Sequence, residues 1–192
     1  VAWTAPFTAV AGSVFTASQF NTFIRDNLSE TLPAKALTTN SYFVTADTGS
    51  VAERRPVAAL VDTSSSESYT STDQTSYSDL TTSAVTTALK GPELIVNTGR
   101  AALVTVWAQT AITSVAAASV RMSYEVSGDT SIEASDQWAT GKVGGSTDLG
   151  RFGCRTSLRT DLTPGLNTFT AKYRVSSGTG GFQYRRLIIL PL

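Results

Sequence analysis

From about residue 84 to its end the chain alternates apolar and polar positions. In Ser119–Val126, the residues Val120, Met122, Tyr124 and Val126 fall on one side and Arg121, Ser123 and Glu125 on the other. A period of two is that of a half-buried antiparallel strand. Leu149–Leu162 sets Phe152, Cys154, Thr156 and Leu158 against Arg151, Arg155, Ser157 and Arg159. Leu166–Val175 sets Phe169, Ala171, Tyr173 and Val175 on one face. Ala101–Ile112, Glu93–Val96 and Phe182–Leu192 are further strand signals, as are Ser41–Thr45 and Pro56–Val61 upstream. Turn residues punctuate them at Asn97–Gly99, Ser127–Asp129, Thr163–Gly165 and Ser176–Gly181. Residues 62–83 are dominated by Ser and Thr, but Tyr69, Tyr77 and Leu80 interrupt them, which favours polar strands with a loop over a linker. No helical period interrupts residues 84–192, which argues against a βαβ architecture. The pattern predicts a mainly β chain, an antiparallel β-sandwich over residues 41–192.

Residues 1–40 follow a different pattern. Phe20, Phe23, Ile24 and Leu28 keep the i, i+3, i+4, i+8 spacing of an amphipathic helix. Thr16 is placed as its N-cap, with Gln19 completing a capping box, and Phe15 and Phe20 are placed for a hydrophobic staple. The helix is expected from Ala17 to Leu28, three turns, marginal without a surface to dock on. Before it lies an arm carrying Trp3, Phe7, Val10, Val14 and Phe15, broken by Pro6 and Gly12. Such an arm either folds back on its own domain or is buried against another protein. The division expected is an arm and helix over 1–40 and a sandwich over 41–192.

Composition narrows the function classes. Among 192 residues, 15 Lys and Arg balance 15 Asp and Glu, and charged residues make up only 16%. A nucleic-acid binder needs a basic face, and only the pairs Arg54-Arg55 and Arg185-Arg186 offer one, so nucleic acid is not an expected partner. Both pairs are expected on solvated surface. No stretch is long and apolar enough for a membrane helix, and the start carries no signal-peptide pattern, so no membrane is expected. There is no histidine and one cysteine. That removes a Ser-His-Asp triad, a His-activated thiol, most zinc sites and an internal disulfide. Cys154 is expected as a buried thiol, Trp107 as core.

Three groups invite a chemical reading. The glycines of Gly178–Gly181 lack the Lys-Ser/Thr and helix of a phosphate loop, so a hairpin turn is expected. Asp129, Glu133 and Asp136 lie in one loop, either as a calcium-type oxygen cluster or as a wet loop tip. Trp138 lies in the same loop and is the candidate contact for a sugar ring. No acid pair or nucleophile stands out, so no catalytic residue, cofactor or metal site is assigned, and the chain is not expected to be an enzyme.

The N-terminal motif carries a family resemblance. Trp3-Thr-Ala-Pro6, Gly12, Val14, Thr16-Ala17, Asn21 and Ile24-Arg-Asp-Asn-Leu28 resemble the N-terminal signature of small virion proteins of tailed bacteriophages. The chain departs from it at Ala9 and Val10, where a second Trp is usual. Leu162-Thr-Pro-Gly165, Tyr173-Arg174 and the closing Arg185–Pro191 are similar to the jelly-roll domains found in such proteins. The resemblance implies a non-enzymatic virion structural protein, assembled in the host cytoplasm, of capsid-decoration or head-fibre type. Its alternative is a minor tail protein or a module binding a host receptor or glycan. The partners implied are major capsid or tail proteins, further copies in a homotrimer, and a host-surface glycan. The anchor contacts expected are Trp3, Phe7, Phe20, Phe23, Ile24 and Leu28.

Overall fold

The alternating segments pair into antiparallel ladders in the computed structural model, which describes residues 4–5, 7–8, 10–31, 35–47, 50–61, 70–72, 75–82, 85–89, 91–112, 118–143 and 148–192. The chain divides into two compact units, Val1–Arg55 and Pro56–Leu192. The first holds the arm, a helix and a hairpin of β1 (Tyr42–Asp47) with β2 (Ser50–Arg54). The helix, α1, is continuous through an α-helical start Ala17–Phe20, a π-turn Asn21–Arg25 and an α-helical end Asp26–Ser29. Its capping box is formed: the Gln19 amide donates to Thr16 Oγ1 at 3.2 Å, and the Thr16 amide donates to Gln19 Oε1 at 2.9 Å. The hairpin belongs to this unit because Lys35 donates to the Val51 carbonyl at 3.3 Å. The Glu53 carboxylate accepts the Leu37 and Thr38 amides as well. The observed boundary therefore follows β2, at Pro56, a residue that cannot donate to a ladder.

The second unit begins with β3 (Val57–Val61), followed by the short strands β4 (Thr70–Thr72), β5 (Leu80–Thr82) and β6 (Val85–Leu89). Then come β7 (Glu93–Thr98), β8 (Ala102–Ile112), β9 (Ser119–Gly128), β10 (Thr140–Val143), β11 (Asp148–Arg159), β12 (Gly165–Val175) and β13 (Gly180–Pro191). One sheet runs β10-β9-β12-β7 and the other β11-β8-β13-β3, all antiparallel. Consecutive strands from β7 to β13 mostly cross between sheets, which is the double Greek key of a jelly roll. Between the sheets lie Val104, Val106, Val120, Met122, Tyr124, Phe169, Tyr173, Phe182, Leu187 and Ile189, all fully buried. Each such side chain contributes roughly 1.5–3 kcal/mol of burial.

The inward faces predicted for β9 and β12 are those observed, and the face predicted for β11 is inverted. Cys154 is exposed, and so are Phe152 and Leu158, each at 58%. Ser157 turns inward instead and shares a 2.9 Å hydrogen bond with the Tyr124 hydroxyl of the other sheet. Gly153 leaves the room that Thr140 Oγ1 takes, 2.7 Å from where a Cβ would stand. Small inward residues let β10 close over this edge, and the larger apolar residues face out. Trp107 is likewise on the outer face, stacked on Phe152 at 5.1 Å beneath Arg186 at 4.9 Å. The expectation of solvated arginines also fails at Arg185, which is 1% exposed. A bulge between Gln183 and Arg186, with Tyr184 at φ +50°, shifts the register there. Arg185 then reaches the Gly91 carbonyl and the Tyr173 hydroxyl, each at 3.3 Å.

Candidate functional site

The N-terminal unit shows where the arm goes. Asn27 lies on the inner side of α1 and is 4% exposed. Its Oδ1 accepts the Thr4 amide at 2.8 Å, and its Nδ2 donates to the Thr4 carbonyl at 2.9 Å and the Phe23 carbonyl at 3.0 Å. One side chain thus satisfies both backbone groups of an arm residue that has no ladder of its own. Past this point Phe7 stacks on Phe15 at 5.1 Å and packs against Phe23 at 5.3 Å, while Phe15 meets Phe20 edge-on at 6.2 Å. Pairs of this kind are worth about 0.5–1.5 kcal/mol each beyond burial. The arm is folded onto its own helix.

Folding back does not use up the apolar surface. Val10, Val14, Phe15, Phe20, Ile24 and Leu28 remain exposed, Val14 at 82% and Leu28 at 62%. Residues four apart advance about 400° on an α-helix, so Phe20, Ile24 and Leu28 would drift around it. The π-turn takes more residues per turn and offsets that drift, which keeps the three side chains on one stripe. Of the predicted anchor residues, Phe7 and Phe23 are half-buried in the aromatic cluster and Phe20, Ile24 and Leu28 face outward; Trp3 lies outside the described residues.

The jelly roll carries a second candidate, on the outer face of the β10-β9-β12-β7 sheet. A cleft of 640 Å³ is lined by Thr75, Ser76, Tyr77, Glu125, Lys172, Arg174 and the loop Glu133–Asp136. Its walls follow from strand register. Ser78 pairs with Tyr173 beyond the end of β7, which sets Tyr77 beside Arg174 and Asp79 beside Lys172. The hydroxyl of Tyr77 donates to Asp136 Oδ1 at 2.7 Å, and Arg174 Nε donates to the same oxygen at 2.9 Å. Arg174 Nη2 donates to Asp136 Oδ2 as well. Lys172 contacts Asp79 at 2.8 Å and Glu125 at 3.0 Å. The Arg174 hydrogen bond holds the Asp136 carboxyl below its usual range. Burial, helped by the hydrogen bond to Asp136, pushes the Tyr77 phenol upward. Burial opposes the charge on Lys172, but Asp79 and Glu125 outweigh it and raise its pKa.

Trp138 does not stand free beside this cleft. Its indole nitrogen donates to the Tyr124 carbonyl at 3.2 Å, and the Arg159 guanidinium covers the ring at 4.2 Å. It closes the 3-10 turn Asp136–Trp138 and so fixes where Asp136 sits. Asp129 is engaged elsewhere, accepting the Leu166 amide at 2.8 Å. Among the described residues no group of three or more His, Cys, Asp or Glu is placed to hold a metal ion. Sequence reasoning singled out this loop but missed Tyr77, Lys172 and Arg174. Tyr77 lay in a Ser/Thr tract, and the two cations are the ordinary outward positions of a half-buried strand.

Asp136 gives the sandwich an acid-labile element. The hydrogen bond from Arg174 holds its carboxyl below the usual carboxylate range in the folded state, so the ionised form favours folding. That contribution is complete above about pH 5 and is lost as pH falls through the unfolded and then the lowered folded pKa. The urea midpoint should hold steady from pH 7 to 5 and drop below 4, and Asp136→Asn should flatten the drop. An unchanged acid slope in the variant would exclude Asp136 as its source.

No protein-family model matches the chain, and no curated protein matches it. Among solved structures, infectious bursal disease virus VP2, in the crystal structure of its subviral particle, is similar with a TM-score of 0.42 and 13% identity. The alignment covers 76% of this chain and 36% of that one, so the chain spans about a third of that protein's length. Among the described residues no helix is long and apolar enough to cross a membrane.

Proposed function

We propose that this chain is a non-enzymatic structural protein of a bacteriophage virion, of capsid-decoration or head-fibre type. Its N-terminal unit is the anchor, and its jelly roll is displayed outward. One observation carries the reading: the Val1–Arg55 unit folds its arm onto α1 and still leaves Val10, Val14, Phe15, Phe20, Ile24 and Leu28 exposed on so small a body. Such a surface calls for a protein partner. Support also comes from the residues of the family resemblance, since Asn27 within Ile24–Leu28 is the clamp that positions the arm. The apolar outer face of β11, β8 and β13, with Phe152, Leu158 and Ile188 exposed, supports contact between copies, and the proposal includes a homotrimer.

The test keeps the full chain. Phe20, Ile24 and Leu28 are replaced together by Gln, which should leave thermal unfolding of the sandwich unchanged because all three are exposed. Virions propagated with the variant should carry less than about a tenth of the normal amount, the loss that about 1.4 kcal/mol of binding produces. Normal occupancy would sink the anchor assignment. Sedimentation of the free protein at the mass of one chain would remove the trimer.

A further inference from the structure

The geometry points to the cleft beside Tyr77 as a binding site for a neutral saccharide. This goes beyond the anchor reading and does not depend on it, because every residue involved lies in the jelly roll.

Size admits a small ligand. At 640 Å³ the cleft falls within the roughly 300–1,000 Å³ of ligand sites. Charge then selects its chemistry. The cations Lys172 and Arg174 are each held by acids, Lys172 by Asp79 and Glu125 and Arg174 by Asp136. An anionic ligand would have to take Arg174 from Asp136. A cationic one would have to take Asp136 from Arg174, Tyr77 and Arg121, the last at 3.6 Å. Both exchanges give up a formed charge pair for another, with desolvation to overcome besides. A neutral polyol avoids that exchange. Each hydroxyl both donates and accepts, so neighbouring hydroxyls on one ring can bridge a carboxylate and a cation set side by side. Those hydrogen bonds are charge-assisted and about twice as strong as neutral ones. An ionised carboxylate offers about four acceptor positions, and an ammonium three donors of which Lys172 commits two to its acids.

The groups are also held in place before any ligand arrives. Asp136 is fixed by Tyr77 and Arg174, and its turn is pinned by Trp138 on Tyr124 and under Arg159. Ordering these side chains on binding therefore costs little. Trp138 acts here as a positioning residue; the sugar contacts fall to Tyr77, Glu125, Glu133, Asp136, Lys172 and Arg174.

The experiment titrates the full-length protein, isotope-labelled for NMR, with methyl glycosides of glucose, galactose, mannose and N-acetylglucosamine, alongside sialyllactose and a heparin tetrasaccharide. At least one neutral glycoside should saturate in the millimolar range, with shifts centred on Tyr77, Glu133 and Lys172. Glu133→Ala at the exposed rim, which the fold does not need, should weaken that binding about tenfold, and Asp136→Asn should weaken it at least as much. Phe152→Ser, on the opposite sheet, should leave it unchanged. The assignment is overturned if no neutral glycoside binds, if the anionic sugars bind tighter, or if neither cleft variant weakens binding.

Discussion

Gly180→Val should leave no folded jelly roll, and Gly180→Ala should lower its melting temperature by about 10 °C. The site sits at the start of β13, directly against Val120 and Val175 of the other sheet. A Cβ on Gly180 would stand 2.2 Å from Val120 Cγ1 and 2.6 Å from Val175 Cγ1. Neither valine can turn aside, since β-branched side chains are stiff at χ1 and both are fully buried on the facing sheet. Relief has to come from moving β13 or β12. Overpacking of a core costs about 1–3 kcal/mol for one added methyl, and a unit of this size loses roughly 3–4 °C per kcal/mol. Valine adds two more carbons against the same wall and exceeds what a domain stable by about 5–15 kcal/mol sustains beside its other costs. The measurement is thermal unfolding followed by fluorescence of Trp107 and Trp138, both within this unit. Gly178→Ala is the control. Gly178 is at φ +67° in the preceding turn, where the penalty is conformational and about 1 kcal/mol. If the two alanine variants melted together, close approach of the sheets would not be the reason for glycine at 180.

Gly180 also shows where the sequence was legible and where it was not. The alternation in β9 and β12 marked the core correctly, because Val120–Val126 and Phe169–Val175 keep one face buried throughout. The same alternation in β11 pointed the wrong way. Period two identifies two faces but does not say which is inward, and in β11 the inward side is the crowded one, occupied by Thr140 and Tyr124. The glycines of Gly178–Gly181 were legible as a turn, but the packing demand on Gly180 comes from valines 60 and 5 residues away in sequence. At Arg185 a bulge changed the parity of the strand, and no local residue type announces that. The extent of the helix, its cap and its staple were legible because they depend on contacts within a few residues, while the π-turn Asn21–Arg25 inside it was not. The cleft was half legible. Glu133 and Asp136 share one loop, while Glu125 comes from β9 and the cations meet Tyr77 only through the register of Ser78 on Tyr173.

Asn27→Leu should release the arm while the helix and the jelly roll stay folded, and virion incorporation should fall by at least as much as with the stripe variant. Leucine keeps the branched four-heavy-atom skeleton of asparagine and favours helix, so α1 itself loses nothing in propensity. What goes is the pair of hydrogen bonds to the Thr4 backbone and the bond to the Phe23 carbonyl. Leaving buried backbone groups unpaired costs about 1–3 kcal/mol each, and the arm escapes that cost by moving into water. Among the described residues Phe7 then keeps its ring contacts with Phe15 and Phe23, worth about 1 kcal/mol apiece beyond its partial burial, against the entropy of ordering the arm residues around it at about 1–2 kcal/mol each. Detachment wins on those magnitudes. Amide exchange should report it directly: the Thr4 amide, protected in the parent, should exchange at the rate of an unstructured chain, with amides in β8 and β12 unaffected. Detachment also breaks the exposed face in two, since Val10, Val14 and Phe15 come from the arm and Phe20, Ile24 and Leu28 from the helix. If the variant frees Thr4 yet enters virions normally, the helix stripe alone is the docking surface and the arm is its packing. If Thr4 stays protected, the Phe7 cluster holds the arm and Asn27 is not its clamp.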